Sequence, residues 1–276
     1  MTASLLQIGA RVAELHPYSW WLAWNAVHHL KFLLPHDKSY GALRHFIPVR
    51  SAGLFLDVGA NDGISALSFR KFDPAYPILS LEPNTLLEAP LRRIRNSDRN
   101  FQFRMVGAGS KEEQVTFFVP VYRGIVLHTF TSANPDHTLD AIAESFGRKV
   151  REKTKVLSAE GQIVRIDDLD ISPSIIKIDA EGFNFDVILG ARETIARTRP
   201  FIMVELEPSE WDDLSTFLTN MNYRICRYAI AQDKFLEIDN PTQSRLTGER
   251  NVFAIPDEHM AVMPLTEPAA AQRENG

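Results

Sequence analysis

Hydrophobic and polar positions along this chain fall into two patterns, one typical of buried strands and one typical of helices. Short apolar runs bounded by glycine, proline or polar residues predict strands, and a helical pattern begins at residues 64–69, directly after the first run. The predicted strands of the sheet cover residues 54–58, 78–81, 101–106, 175–178, 200–206, 223–229 and 251–255. Strands that alternate with helices predict an α/β fold with helices on both faces of a largely parallel sheet.

The loop at residues 59–63 lies between the first predicted strand and the helix that follows it. In open α/β sheets a ligand binds at such a turn, where backbone N–H groups of the helix are unpaired. Gly59 removes a side chain that would block close approach of a ligand, and Gly63 lets helix and strand pack closely. The loop predicts a nucleotide-cofactor site, and a tight structural turn is the alternative.

The charge of this loop selects among the nucleotide cofactors. The loop lacks the middle glycine of G-x-G-x-x-G, on which a pyrophosphate lies. Asp57 and Asp62 would repel a pyrophosphate but attract the ammonium and sulfonium groups of S-adenosylmethionine. We therefore expect S-adenosylmethionine rather than NAD. The residues expected to contact it here are Asp57, Gly59, Ala60, Asn61 and Gly63.

Two further strand ends extend the predicted cofactor site. Glu82 follows the second strand at the distance from Gly59 where an acid accepts hydrogen bonds from both ribose hydroxyls, and Asn84 lies beside it. The alternative for Glu82 is a solvated glutamate at a strand end. Gly107 and Ala108 open a turn after the third strand, where an adenine ring could pack against backbone.

Candidate catalytic residues follow the strand at residues 175–178. Extended geometry would place Lys177, Asp179 and Glu181 on one side of the chain. Neighbouring carboxylates shift each other's pKa, so we expect Asp179 or Glu181 to be the catalytic base or to bind a metal ion. The alternative is a structural ion pair with Lys177, together with a favourable charge at the start of the next helix. His128 and His137 are reserve candidates for the base.

Acids also follow the strand at residues 200–206, as Glu205 and Glu207, so four strand ends carry carboxylates. Such carboxylates suit a cationic cofactor and a hydroxyl-bearing or metal-assisted substrate. A divalent metal held by Asp179 and Glu205 would lower the pKa of the acceptor, but no spacing of histidine or aspartate demands one.

Residues 120–147 form a long segment without a clear period, preceded by an added strand at residues 115–119. Long irregular insertions are often lids or binding loops, so we expect this one to select the substrate; a surface excursion is the alternative. The chain is expected to divide into a helical extension at residues 1–50, a catalytic domain at residues 51–258 and a disordered tail at residues 259–276.

The most apolar part of the amino-terminal extension is residues 16–35, where Trp20, Trp24 and Val27 fall at helical spacing. The segment is too short and too polar to span a bilayer. It predicts a helix docked on its own protein, or alternatively a helix that contacts a lipid surface or a second copy. No signal peptide is visible in the first residues.

Composition narrows the classes of partner and compartment. The 276 residues are 45% hydrophobic, enough for a full core, and the net charge of −5 argues against a nucleic-acid surface. Cys226 is the only cysteine, so no intrachain disulfide and no cysteine metal site can form. We therefore expect a cytoplasmic protein that does not bind nucleic acid.

The ordered motifs LFLDVGANDGISALSF, LSLEPN, RIDDLD, IIKIDAEGFNFDVILGA, FIMVELEP and NVFAIP resemble those of the FkbM family of S-adenosylmethionine-dependent methyltransferases. The resemblance implies a class I methyltransferase sheet of seven strands with the last inserted antiparallel. It also implies methyl transfer to a hydroxyl of a sugar, in a glycan or glycolipid, or of a secondary metabolite. Ala180 replaces a valine common in the family, and Ser110 stands where members often carry an acid that contacts adenine.

Two other functions remain open from the residues alone. One is an NAD-linked oxidoreductase on a related sheet, against which the missing glycine and Asp62 argue. The other is a non-catalytic protein that keeps a nucleotide-binding fold as a scaffold.

Overall fold

The computed structural model describes residues 35, 37–50, 53–127, 130–180, 182–205, 208–238 and 250–266. The tryptophan-rich segment at residues 16–34 lies outside the described residues, as do His128, Glu181, Glu207 and the end of the expected tail at residues 267–276. Within the described ranges, no helix is both long enough and apolar enough to cross a membrane.

Twelve strands occur in the described part of the chain. In chain order they are β1 (Phe55–Val58), β2 (Ile78–Leu81), β3 (Phe101–Arg104), β4 (Gly107–Ala108), β5 (Glu113–Tyr122), β6 (Ile125–Val126), β7 (Thr154–Val164), β8 (Ile175–Ile178), β9 (Phe201–Glu205), β10 (Tyr223–Ala229), β11 (Lys234–Glu237) and β12 (Asn251–Pro256). Eight of them form the main sheet in the order β11-β10-β12-β9-β8-β1-β2-β3.

The centre of the main sheet is parallel and deeply buried. Strands β3, β2, β1, β8 and β9 pair in parallel, and every residue of β1, β2 and β8 is buried. Burial on both faces explains why these strands are apolar runs rather than alternating ones. Strand β12 lies between β9 and β10 and is antiparallel to both. The expected α/β sheet with an inserted antiparallel strand is confirmed.

The main sheet has eight strands in place of the expected seven. The extra strand, β11, pairs antiparallel with the outer side of β10. It carries four residues after a turn in which Asp233 has a φ of 55°. Such a short run gives little hydrophobic periodicity, which is why the sequence pattern did not indicate it.

Helices cover both faces of the main sheet. The described helices are, in chain order, α1 (Leu43–Phe46), α2 (Ile64–Phe69), α3 (Glu88–Ser97), α4 (Pro135–Phe146), α5 (Arg148–Lys153), α6 (Asn184–Gly190), α7 (Arg192–Thr198) and α8 (Trp211–Asn220), of which α4 and α5 belong to the insertion and not to these faces. One core joins α6, α7 and α8 to one face, and a second core joins α1, α2 and α3 to the other. Both cores are made of apolar side chains, whose burial is the main source of stability in such a layered fold.

A second, smaller sheet is built from the insertion, in the order β4-β7-β5-β6. Strands β5 and β7 form a long antiparallel hairpin that pairs Glu113 with Ile163 at one end and Tyr122 with Thr154 at the other. Helices α4 and α5 lie at the far end, around a small core that includes Ile142 and Val150. We call this unit, residues 113–164, the cap.

The interpretation of residues 120–147 as irregular was wrong. Helix α4 begins after Asn134, whose side chain accepts a hydrogen bond from the N–H of Asp136 at 2.9 Å, and Pro135 occupies its first turn. The sequence shows no clear helical periodicity here because only Thr138 and Ile142 of this helix are buried. A helix with such a narrow apolar stripe lacks the periodic signal of a core helix.

The segments that flank the predicted catalytic domain pack against the main sheet where they are described. Phe46 of α1 is fully buried and stacks on Phe201 with ring centroids 4.2 Å apart. At the other end, Asp257–Val262 forms a 3-10 helix and Met263 is buried. Residues 259–266, assigned to the tail in the sequence analysis, therefore continue the packed structure.

Candidate functional site

The four acids at strand ends lie along one edge of the main sheet. Asp57, Glu82, Asp179 and Glu205 stand at the carboxyl ends of β1, β2, β8 and β9, which are consecutive strands in the sheet. Parallel pairing brings these ends to the same rim. This is the edge at which ligands of open α/β sheets bind.

The loop after β1 approaches the end of β8 very closely. Gly59 has a φ of 74°, and a Cβ added to it would lie 1.9 Å from the carbonyl oxygen of Asp179. Two features exclude a side chain at this position. Its φ is in the left-handed region, and the atom that a Cβ would meet belongs to backbone that cannot move aside. Gly63 has a φ of 88°, and its missing Cβ leaves room for Ile94 of α3. Asn61, between them, is also left-handed, with a φ of 52°.

Glu82 joins the two loops that border the predicted cofactor site. Its side chain accepts hydrogen bonds from the backbone N–H of Asn61 at 2.8 Å and of Asn84 at 2.9 Å, one at each carboxyl oxygen. The residue is only 7% exposed. Burial raises the pKa of Glu82 to about 7, although the two N–H groups and the Lys177 ammonium act in the opposite direction.

Asn84 is also a structural element of this site. Its side-chain oxygen accepts a hydrogen bond from the N–H of Leu86 at 3.1 Å and thereby caps a short 3-10 helix. The amide nitrogen of Asn84 is buried and has no hydrogen-bond partner among the described residues. A buried donor without a partner costs free energy, so this amide is suited to donate to a ligand.

Asp57 lies beneath the loop rather than at its surface. The residue is fully buried, and one carboxyl oxygen accepts hydrogen bonds from the hydroxyls of Ser65 and Ser80, both at 2.9 Å. The other oxygen lies 3.5 Å from the Lys177 ammonium. These contacts hold Asp57 within the protein, and its expected contact with a cofactor stays a prediction.

Lys177 is the buried cation at the centre of the site. Its ammonium donates to the carbonyl oxygen of Gly59 at 3.0 Å and lies 3.4 Å from the carboxylate of Asp179. Burial lowers the pKa of Lys177, but the carboxylates of Asp179 and Asp57 outweigh it and hold the pKa above its ordinary value. The structural ion pair considered in the sequence analysis is present, and it fixes the loop after β1.

Asp179 keeps part of its carboxylate accessible despite that ion pair. Its side chain is 35% exposed. Burial raises its pKa, but the ammonium of Lys177 and a hydrogen bond with Glu205 outweigh this, so the pKa of Asp179 lies below its ordinary value. Glu205 also pairs with Arg250.

Asn184 locks the ends of β8 and β9 together, a role that the sequence did not reveal. Its side-chain oxygen accepts from the N–H of Ala180 at 2.8 Å, and its amide donates to the carbonyl oxygen of Glu205 at 3.2 Å. Ser65 and Ser80, which hold Asp57, were missed for the same reason. Small polar residues in apolar segments give no pattern until their partners are known.

The turn predicted at Gly107 and Ala108 was wrong. The two residues form β4, which pairs with β7 because the hairpin of the cap returns alongside them. Both are buried, and Gly107 packs against Pro83, where an added Cβ would come within 3.2 Å of that ring. Ser110, just beyond, donates to Asp186 of α6 at 2.6 Å.

Of the two reserve candidates for the catalytic base, the structure describes only His137. It is exposed on the first turn of α4, in the cap. Among the residues that the structure describes, no group of three or more His, Cys, Asp or Glu side chains is placed to hold a metal ion. Tyr40, from the amino-terminal flank, is fully buried, and burial with the nearby carboxylates of Asp57 and Asp179 holds its pKa well above the ordinary value.

Comparison with solved structures finds matches to methyltransferases at low sequence identity. Methyltransferase FkbM from Methylobacillus flagellatus KT is 16% identical, with a TM-score of 0.46 over 74% of this chain and 43% of that one. Precorrin-6y C5,15-methyltransferase from Geobacter metallireducens GS-15 is 12% identical, with a TM-score of 0.35 over 73% of this chain and 77% of that one. The plantazolicin methyltransferase BpumL, in complex with SAH, is 10% identical, with a TM-score of 0.42 over 92% and 96%. This chain thus spans less than half of the Methylobacillus protein.

Sequence comparison is more decisive. No curated protein sequence matches this chain. The family model of the methyltransferase FkbM domain, however, matches residues 57–225, which include the ends of β1, β2, β8 and β9. The match covers more than half of the 276 residues. The chain belongs to the FkbM methyltransferase family.

Proposed function

We propose that this chain is an S-adenosylmethionine-dependent O-methyltransferase whose cofactor site is the rim formed by Glu82 and the loop at residues 59–63. The observation that carries the proposal is the placement of Glu82. Each of its carboxyl oxygens accepts one backbone N–H, from Asn61 or Asn84. A carboxylate oxygen has about two acceptor positions, so each can take one ribose hydroxyl as well.

The charge of the rim supports a cationic cofactor. Asp57, Glu82 and Asp179 are three acids around the single buried ammonium of Lys177. With Glu82 ionised, this set carries a net negative charge, which attracts a sulfonium and repels a pyrophosphate. Asp57 would contribute through this field, and Gly59, Ala60 and Gly63 through the tight backbone turn that they form at the rim.

Asn84, Gly107 and Ala108 complete the proposed cofactor site. The buried amide of Asn84 is a donor suited to a purine nitrogen or a ribose oxygen. Gly107 supports this side through its packing on Pro83, and Ala108 is buried next to it. Bound S-adenosylmethionine would supply an already activated methyl group, so the protein must chiefly position the acceptor oxygen.

Asp179 is the proposed partner of the acceptor hydroxyl. Its lowered pKa keeps it ionised at neutral pH, and its exposed fraction can accept a hydrogen bond from a hydroxyl. Lys177 and Glu205 fix its direction. A carboxylate with a lowered pKa is a weak base, so orientation of the hydroxyl contributes more here than complete removal of its proton. Glu181, two residues on, remains a proposed second catalytic acid.

The acceptor is proposed to be a hydroxyl of a sugar, in a glycan or glycolipid, or of a secondary metabolite. Membership of the FkbM family supports this class. We propose that the cap, within the catalytic domain at residues 51–258, selects it, because the near end of its hairpin packs on Pro83 beside the cofactor site. There an added Cβ on Gly161 would lie 2.9 Å from the carbonyl oxygen of Pro83. The amino-terminal extension at residues 1–50 is proposed to provide any peripheral membrane contact.

Calorimetry with S-adenosylhomocysteine and with NAD tests the cofactor. Binding of the first alone is expected, and it should weaken at least about tenfold in Glu82→Ala, because hydrogen bonds to a charged group are worth roughly 1.5–3 kcal/mol. The exposed Glu144→Ala is the matched control. A folded Glu82→Ala that binds as tightly as wild type would refute the ribose assignment.

Labelled S-adenosylmethionine, incubated with glycolipid and secondary-metabolite extracts, tests the acceptor. Label is expected in an alkali-stable ether of a hydroxyl. Label on nitrogen or carbon would contradict O-methylation, and binding of S-adenosylhomocysteine without any transfer would favour a scaffold.

A further inference from the structure

Two cavities lie side by side at the outer edge of the main sheet, around strand β3. One has a volume of about 450 Å³ and the other about 420 Å³. Gln102 and Phe103 of β3 line both of them. The first reaches Pro77, at the amino end of β2, and extends along β3 to Arg104, at the carboxyl end of that strand.

The lining of these cavities is strongly basic. Arg99 and Arg104 line the first cavity, and Arg92 and Arg95 line the second. No aspartate or glutamate lines either one among the residues that the structure describes. The chain as a whole carries a net charge of −5, so four arginines at one edge are a local concentration of positive charge. We call these four residues the arginine edge.

The arginines of the first cavity are not used by the fold. In the described part of the chain, neither Arg99 nor Arg104 has a carboxylate partner, and both are exposed. In the second cavity, Arg92 pairs with Glu88 one turn earlier, and the Nε of Arg95 donates to Gln102 at 3.1 Å. That hydrogen bond places Arg95 beside Gln102, which lines both cavities.

The number and type of these side chains define the ligand. The planar guanidinium group binds carboxylates and phosphates through two parallel hydrogen bonds. A phosphoryl group carries about −1.5 to −2 charges at pH 7 and three acceptor oxygens, whereas a carboxylate carries one charge and two oxygens. Four guanidinium groups in two adjoining cavities therefore match a ligand with two phosphoryl groups better than a monocarboxylate.

We propose that the arginine edge is a binding site for a soluble ligand with two phosphoryl groups, separate from the methyl-transfer site. Arg99 and Arg104 would bind one phosphoryl group, and Arg95, with Arg92, the other. The backbone of β3 connects the two sites, since the N–H of Glu82 donates to the carbonyl oxygen of Arg104 at 3.2 Å.

Pyrophosphate is the probe for this proposal. We would titrate it into the full chain at near-physiological salt by calorimetry and compare wild type with the double variant Arg99→Gln/Arg104→Gln. The matched control is Arg93→Gln/Arg148→Gln, which removes the same charge from exposed arginines that line neither cavity. Saturable one-site binding is expected in wild type and control, and at least about tenfold weaker binding in the double variant.

Three results would overturn the proposal. The first is the absence of saturable pyrophosphate binding, and the second is a loss of pyrophosphate affinity in the control variant equal to that in the double variant. The third is binding of citrate as tight as that of pyrophosphate, which would indicate a carboxylate site. Binding only to phosphatidylcholine vesicles that contain phosphatidic acid would show that a lipid surface is the ligand instead. The single variant Arg99→Gln, in an exposed turn, gives the same test if the double variant does not fold. Unchanged affinity for S-adenosylhomocysteine in all variants would support a separate site.

Discussion

The buried carboxyl of Glu82 couples the stability of the protein to pH. Its pKa is raised from an ordinary value of 4.5 to about 7 in the folded chain, so folding strengthens the binding of this proton. The stabilisation that results is fully present below pH 4.5 and is lost as the pH rises through about 7. At about 1.36 kcal/mol for each pKa unit, the loss amounts to roughly 3 kcal/mol.

Glu82→Gln removes this titration while keeping the size of the side chain. We expect the free energy of unfolding of wild type, relative to the variant, to fall by roughly 2 to 3 kcal/mol between about pH 5 and about pH 8. Urea denaturation at a series of pH values measures this difference. Glu144→Gln, on the exposed side of α4, should show no such trend. Only the pH dependence of this difference is diagnostic, because the new amide also changes the hydrogen bonds from Asn61 and Asn84 at every pH.

A difference between wild type and Glu82→Gln that stays constant across this range would refute the argument. It would mean that the carboxyl is already ionised at low pH or is solvated in the folded protein. If the ribose assignment holds as well, affinity for S-adenosylhomocysteine should rise as the pH passes about 7 and then level off, because only the ionised group accepts from both hydroxyls.

Four further outcomes follow from the site. Gly59→Ala should destabilise the protein by more than about 1 kcal/mol beyond Gly124→Ala in urea denaturation, since both have a positive φ but only Gly59 would place a Cβ against backbone. Lys177→Met should cost about 3–5 kcal/mol of unfolding free energy because it leaves Asp57 buried and unpaired; a loss near zero would contradict the ion-pair geometry. Asp179→Asn should lower turnover about 100-fold or more while cofactor affinity changes little, whereas a lower melting temperature with normal turnover would assign it a structural role only. EDTA should leave turnover unchanged, and loss of activity that Mg²⁺ restores would make Asp179 a metal ligand.

The carboxyl rim could be predicted from sequence because it depends on short-range features. An apolar run that ends in an acid marks the end of a parallel strand, and Asp57, Glu82, Asp179 and Glu205 all follow such runs. Alternation of strands and helices then brings these ends to one edge. The direction of each side chain could not be predicted, since Asp57 is directed inward by Ser65 and Ser80, which lie in different elements.

The cap could not be predicted for a different reason. Strand β7 alternates between exposed and partly buried positions, and it lacks the apolar run of a central strand. It forms because β5 lies alongside it for ten paired positions, a contact that no local pattern encodes. Gly107, which pairs with β7 at the near end of the cap, was interpreted as part of a turn, because its close neighbours Ile163 and Pro83 are distant in sequence or not adjacent to it.

The position of β12 has a consequence for synthesis of the chain on the ribosome. This strand, residues Asn251–Pro256, separates β9 from β10, although β10 and β11 precede it in the sequence. Until it has emerged, the nascent chain exposes the unpaired backbone of β9, and the β10–β11 hairpin has no neighbour to join. Unpaired strand edges are sites of aggregation, so the nascent chain is exposed to aggregation until residue 256 has emerged from the ribosome.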